Sequence, residues 1–140
     1  GICMLVPGVK GMSENIKVVS IVDRYLEHSR IFYFQNGSDS EIYLASADWM
    51  PRNLERRVEL MFPILDKKVF KEVKSILDVY FEDNCNAHEL KKDGEWIPVL
   101  LEEGQSKRRS QELLYKKYKR RNDSYEKIKQ KKFEVRKKIE

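Results

Sequence analysis

Between Asp23 and Glu59 the chain gathers groups suited to holding an oxyanion. They are His28 and Arg30 in DRYLEHSRIFYF, then Ser46, Asp48, Arg52, Asn53, Arg56 and Arg57 in EIYLASADWMPRNLERRVE. Arginine forks donate paired, charge-assisted hydrogen bonds that match phosphate oxygens. A histidine among them can hand a proton to a leaving phosphate oxygen or take one from a nucleophile. A lone histidine is more often structural, and the guanidinium neighbours are what single out His28. Ser46 and Ala47 are small enough for close approach, and Asp48 can orient an imidazole or pin a loop. Trp49 and Met50 are expected to pack rather than to stack on a base. His88, among polar residues of a loop, is expected at the surface.

These groups need a scaffold, and the sequence supplies a hairpin. Arg30 to Phe34 and Glu41 to Ala45 are the clearest strands, rich in β-branched and aromatic residues. Asn36-Gly37 between them favours the positive φ of a tight turn. In an antiparallel pair the start of the first strand lies beside the end of the second. His28 and Arg30 are thereby placed near Ser46 and Asp48, with Asn53 and Arg57 joining if residues 52–57 bend back toward the sheet.

Around the hairpin the pattern is α/β. Ile2 to Val6 reads as a buried strand closed by Pro7-Gly8. PGVKGMSEN reads as a turn whose small residues could present N–H groups to a phosphate. It lacks the Gly-Lys-Ser/Thr ending of a P-loop. Ile16 to Val22 reads as a strand, Asp23 to His28 as a helical turn with Tyr25 and Leu26 facing inward, and Arg57 to Phe62 as a further strand. From Asp66 to Phe81, apolar Val69, Phe70, Val73, Ile76, Leu77 and Tyr80 form one helical stripe, with Asp66 as N-cap. Cys85 to Leu100 reads as a loop and a short edge strand, because Pro98 cannot donate within a central one. From Ser106 onward a helix is expected, its seam formed by Leu114, Tyr118, Tyr125, Ile128, Val135 and Ile139, with Arg121 and Lys132 in the same seam.

Composition limits the class. The 140 residues are 41% hydrophobic and 36% charged, enough for one globular domain with a polar extension. No apolar run approaches the roughly 18–20 residues that span a bilayer. Cys3 and Cys85 make neither a disulfide framework nor a metal cluster, and are expected as reduced thiols. The net charge of +5 is unevenly spread: residues 105–140 hold 15 basic and 5 acidic side chains, leaving 13 and 18 for the rest. The expected division is therefore a domain over 1–104 and a basic helical extension over 105–140. GICMLVPG, with no initiator Met, is expected to be the cut edge of a longer protein.

The runs GICMLVPGVKGMSENIKVVS, IVDRYLEHSRIFYFQNG and IYLASADWMPRNLERRVE closely resemble the C-terminal catalytic part of family-1 polyphosphate kinases, strongly to about residue 82 and more loosely to about 115. The resemblance implies a phospholipase D-like mixed β-sheet flanked by helices, as the last domain of a multidomain enzyme. It implies reversible transfer of the ATP γ-phosphoryl group to polyphosphate, with Mg²⁺ bound mainly outside this chain, and a phosphohistidine in the preceding domain. His28 matches a second active-site histidine that contacts nucleotide phosphate and assists proton transfer, and Arg57 an arginine near those phosphates. A further phosphate-binding arginine is implied just before Gly1. The chain departs from a full phospholipase D motif, since His28-Ser29-Arg30 replaces His-x-Lys and position 35 is Gln.

The expected partners are therefore ATP or ADP, polyphosphate, the remaining domains of the same enzyme and further copies of it, with no specific nucleic acid. The expected location is the cytoplasm, with a peripheral position on the inner membrane compatible with it. His28 and Arg57, with Arg30 and Asn53, are the phosphate-binding candidates, supported by Ser46 and Asp48; no metal ligand is assigned. The alternatives are a phospholipase D-like phosphodiesterase or nuclease, and a polyanion-binding module acting through the basic tail.

Overall fold

The computed structural model describes residues 3–126, with side chains as far as Asn122. Strands β1 (Val19–Ile21), β2 (Ile31–Phe34) and β3 (Glu41–Ala45) precede a short helix α1 (Pro51–Arg56) and strand β4 (Met61–Pro63). Helix α2 (Lys67–Phe81), strands β5 (Ala87–Leu90) and β6 (Trp96–Pro98) and helix α3 (Ser110–Glu126) complete the α/β arrangement. The strands form two three-stranded antiparallel sheets, ordered β1-β5-β6 and β2-β3-β4.

The hairpin forms as its sequence dictates. Asn36 at φ 44° and Gly37 at φ 68° both take the left-handed conformation that Asn-Gly tolerates. The register pairs Phe34 with Glu41 and Ile31 with Leu44. Pairing also assigns the sheet's faces. Tyr33 lies opposite Ile42, which is 1% exposed, and Lys74 of α2 sits 4.9 Å from the Tyr33 ring, so α2 covers that face. Phe32 lies opposite Tyr43 and faces the other way.

Helix α2 begins as expected, the Asp66 carboxylate accepting from the N–H groups of Lys68 and Val69. Its stripe buries Val73 and half-buries Phe70, Ile76, Leu77 and Tyr80. The β6 strand pairs only with β5, so Pro98 occupies an edge. On α3, Leu114 and Tyr118 are half-buried and Arg121 bonds Glu72 of α2, so the seam's partner is the body's own helix. The Tyr125 side chain and Ile128, Lys132, Val135 and Ile139 lie outside the described residues.

Several expectations give way. Cys3 to Val6 is exposed and forms no strand, because no neighbouring strand offers it a ladder. Residues 23–28 make a bend rather than a helical turn, and Leu26 is 90% exposed with Tyr25 also exposed. The strand expected over Arg57 to Phe62 is confined to Met61–Pro63, and Val58 is 99% exposed. His88 lies half-buried in β5 between Ser20 and Pro98, where a loop was expected. The run CNAHEL, with few strand-forming residues, hid a strand whose two end residues, Ala87 and Leu90, are buried.

Candidate functional site

The hairpin brings its two ends together. The Ala45 N–H donates to the Arg30 carbonyl at 3.0 Å, so the chain leaving β3 runs beside the chain entering β2. Asp48 thereby reaches Arg30, its Oδ1 accepting from Nε at 2.8 Å. The Arg30 side chain is only 15% exposed, and its outer nitrogens turn to His28. Nη1 donates to the His28 carbonyl at 3.1 Å, and Nη2 lies 2.8 Å from Nε2. Guanidinium can only donate, so Nε2 accepts when the ring is neutral and carries its proton on Nδ1. The 3.3 Å approach of Nη1 to Nδ1 is then not a hydrogen bond. His28 itself is exposed.

The charges reinforce this arrangement. The bond from Arg30 holds the Asp48 carboxyl below the usual carboxylate range against the opposing effect of desolvation, and the charges of His28 and Arg52 act in the same direction. Asp48 in turn raises Arg30. Asp48 therefore fixes the guanidinium, and the guanidinium orients the imidazole.

A second grouping forms around Glu59, which the sequence reading did not single out. Its carboxylate accepts from Ser46 Oγ at 2.5 Å and from Asn53 Nδ2 at 2.8 Å, and these two bonds lower its pKa. Ser46 Oγ also accepts from the Leu60 N–H at 3.0 Å. Ser46 and Asn53 thus brace the 46–60 segment through Glu59 and Leu60. Asn53 is 4% exposed, and its Oδ1 has no hydrogen-bond partner. The only signal for Glu59 was its place at the end of the ERRVE run, and a surface glutamate carries none by itself. Arg52 and Arg56 are exposed on α1, and Arg57 is exposed just beyond it, its charge acting on Glu59. Charge coupling between Glu59 and Arg30 links the two groupings.

The remaining features offer less chemistry. In the PGVKGMSEN loop, Ser13 Oγ takes the Val9 N–H and the Glu14 carboxylate takes those of Gly11 and Met12. An internal anion already fills the place a phosphate would take. A cavity of about 530 Å³ is lined by Arg24, Tyr25, Arg109, Gln111, Glu112 and Tyr115, and its Arg109 is bound to Asp23. Among the described residues no group of His, Cys, Asp and Glu side chains could hold a metal ion. Asp48 and Glu59, the carboxylates of the two groupings, are already engaged by Arg30 and by Ser46 and Asn53.

Comparison with known proteins gives this architecture relatives. Residues 1–111 match the family model described as polyphosphate kinase C-terminal domain 2. The chain is 51% identical over 115 residues to a polyphosphate kinase of Rhodopirellula baltica, covering 82% of this chain and 14% of that protein. It is 48% identical over 117 residues to polyphosphate kinase 1 of Chlorobaculum tepidum, covering 84% of this chain and 16% of that protein. The crystal structure of polyphosphate kinase from Porphyromonas gingivalis superimposes with a TM-score of 0.80 at 38% identity, covering 89% of this chain and 19% of that one. The fold is phospholipase D-like.

Proposed function

The chain belongs to the polyphosphate kinase family through its C-terminal domain 2, and on that premise we propose that it supplies half of a phosphoryl-transfer site. In this reading the full enzyme moves the ATP γ-phosphoryl group reversibly to polyphosphate, through a phosphohistidine carried by another domain. Residues 1–104 form the catalytic domain and 105–140 its basic helical extension. Residues 1–140 alone are inactive, and the protein works in the cytoplasm as an oligomer. No described helix is long and apolar enough to cross a membrane.

One observation supports the reading most: the Arg30 guanidinium, pinned by Asp48, reaches His28 at the exposed end of the hairpin. Phosphoryl transfer depends on positioning and on neutralising charge spread over phosphate oxygens. With Nε committed to Asp48, the outer N–H groups of Arg30 are the ones that can turn to a phosphate. A phosphate oxygen is a stronger acceptor than a neutral imidazole. On its arrival the guanidinium moves onto the phosphate, and the freed His28 Nε2 can take up a proton from solvent and hand it to the leaving oxygen. Arg57, exposed beside Glu59, adds a cation for the nucleotide phosphates. Mg²⁺, which the family resemblance implies, would be bound mainly outside this chain.

The test is His28→Ala in the full enzyme. Kinase activity should fall by orders of magnitude with an unchanged circular dichroism spectrum, and Arg57→Ala should weaken nucleotide or polyphosphate binding about tenfold or more. Wild-type turnover in His28→Ala removes the imidazole from the reaction. Phosphodiesterase turnover by residues 1–140 that His28→Ala abolishes would favour the hydrolytic alternative.

A further inference from the structure

Between the end of β1 at Ile21 and the start of β2 at Ile31 the chain belongs to no helix or strand, and His28 sits on this stretch. The groups that hold it come from far along the sequence. Gln111, 8% exposed at the start of α3, grips both backbone groups of Tyr25. Its Oε1 accepts from the Tyr25 N–H at 2.9 Å, and its Nε2 donates to the Tyr25 carbonyl at 2.7 Å. The other hydrogen of Nε2 goes to Glu27 Oε1 at 3.0 Å. Glu27 Oε2 accepts from the Tyr80 hydroxyl, near the end of α2, at 2.7 Å. The Ser29 hydroxyl bonds the same phenol oxygen.

Both chain neighbours of His28 are therefore tied to one phenol, and the residue three places before it is tied to one amide. Burial and the Glu27 carboxylate push the Tyr80 phenol up to about 12, so it keeps the proton it donates at neutral pH. Without a ladder between Asp23 and Ser29, these bonds supply the backbone's restraint. The His28 ring stays exposed while the chain that carries it is held. A proton-transfer group needs that combination, since a misplacement of about 1 Å can cost about 100-fold in rate. Docking α3 on the body would not require bonds at residues 25–29. Helices α2 and α3 are also joined through Glu72 and Arg121 and through Ser75 and Lys117.

We infer that Tyr80 and Gln111 are positioning residues for His28, holding residues 25–29 so that the imidazole meets the leaving oxygen of the transferred phosphoryl group. This rests on the polyphosphate kinase reading, and it makes the first turn of the basic extension a working part of the site. Each side chain acts through the backbone that carries the ring, not by touching substrate.

The experiment measures steady-state kinase turnover of the full enzyme. Tyr80→Phe removes one hydroxyl and keeps the ring, while Gln111→Met keeps the length and removes the bonds. Each should lower kcat about tenfold or more with KM for ATP within about twofold. Tyr80→Phe decides alone where Gln111→Met fails to fold. On a His28→Ala background the same changes should cost less than about twofold, because a group that acts through the imidazole has nothing left to place. Glu72→Ala cuts a tie between α2 and α3 about 12 Å along the helix from Tyr80, and should leave turnover within about twofold. The inference is overturned if Tyr80→Phe turns over like wild type, or if its loss multiplies with that of His28→Ala. It is equally overturned if Glu72→Ala loses as much as Tyr80→Phe. Each of those results leaves the proposed function standing. Wild-type turnover in His28→Ala instead removes that function, and the positioning with it.

Discussion

Asp83 offers the sharpest test of how this fold is held together. It is 2% exposed and lies between the end of α2 and the start of β5. Its Oδ1 accepts from the N–H groups of Cys85 at 2.9 Å and Asn86 at 2.8 Å. Its Oδ2 accepts from the N–H of Ser110 at 2.7 Å, the first residue of α3. One carboxylate therefore turns the chain out of α2 and caps a helix 27 residues further on. Asp83→Ala removes all of these acceptors. Cys85 is exposed and Asn86 half-buried, so water can replace the lost bonds there, but Ser110 is fully buried. A stranded buried donor costs about 1–3 kcal/mol, and bonds to a charged group about 1.5–3 kcal/mol. Taken together the loss should be about 3 kcal/mol, and about half that for Asp83→Asn, which keeps one carbonyl oxygen. Urea unfolding followed by far-ultraviolet circular dichroism reads this as a lower midpoint at unchanged slope.

The same residue fixes a pH dependence. Burial pushes the Asp83 carboxyl up, but the N–H groups of Asn86, Ser110 and Cys85 outweigh it, so its pKa in the fold is lowered. A depressed folded value means stabilisation that is fully present above the unfolded pKa of about 3.9. It is lost as pH falls through the folded value. The gap between wild type and Asp83→Asn should be constant from about pH 5 to 7 and should narrow below about pH 4. Midpoints of wild type and Asp83→Ala agreeing within a few tenths of a kcal/mol would refute the reasoning, as would a gap unchanged at about pH 2.

Two further predictions concern the hairpin and its brace. Ile42→Ala, at a 1% exposed position under α2, should cost about 2–5 kcal/mol in the same urea assay, and a cost below 1 kcal/mol would mean that the helix collapses onto the sheet. Glu59→Gln should accelerate amide hydrogen exchange at Asn53, Leu54 and Leu60 while leaving α2 protected, because one neutral amide cannot accept well from both Ser46 and Asn53; unchanged exchange at those amides would show that the brace is dispensable.

How much was legible beforehand depended on range along the chain. The hairpin is a local decision. Asn36-Gly37 admits positive φ at both positions, the flanking residues suit strands, and the pairing of Arg30 with the end of β3 follows. Helix α2 was equally legible, because its cap and its stripe lie within one continuous segment. Cys3 to Val6 and most of Arg57 to Phe62 were misread for a related reason. Apolar β-branched runs say that a strand is affordable, but a strand exists only where a neighbour supplies its ladder. β5 shows the converse, since AHEL has weak strand character and is recruited by pairing with β1 and β6.

The sequence by itself determined which chemistry is present: a histidine, several arginines and a tight hairpin able to bring them together. It also carried enough family pattern to identify the domain. Tertiary structure alone decided how those groups are spent. Asp48 went to Arg30 and Arg30 to His28, while Ser46 and Asn53 went to Glu59. It also left Trp49 exposed and tied residues 106–111 to Asp23, Tyr25, Asp83 and Asn84. The physical reason is that residue types and local propensities are written at each position. Hydrogen-bond partners and solvent exposure, in contrast, are set by whichever distant segments the packed chain brings within reach.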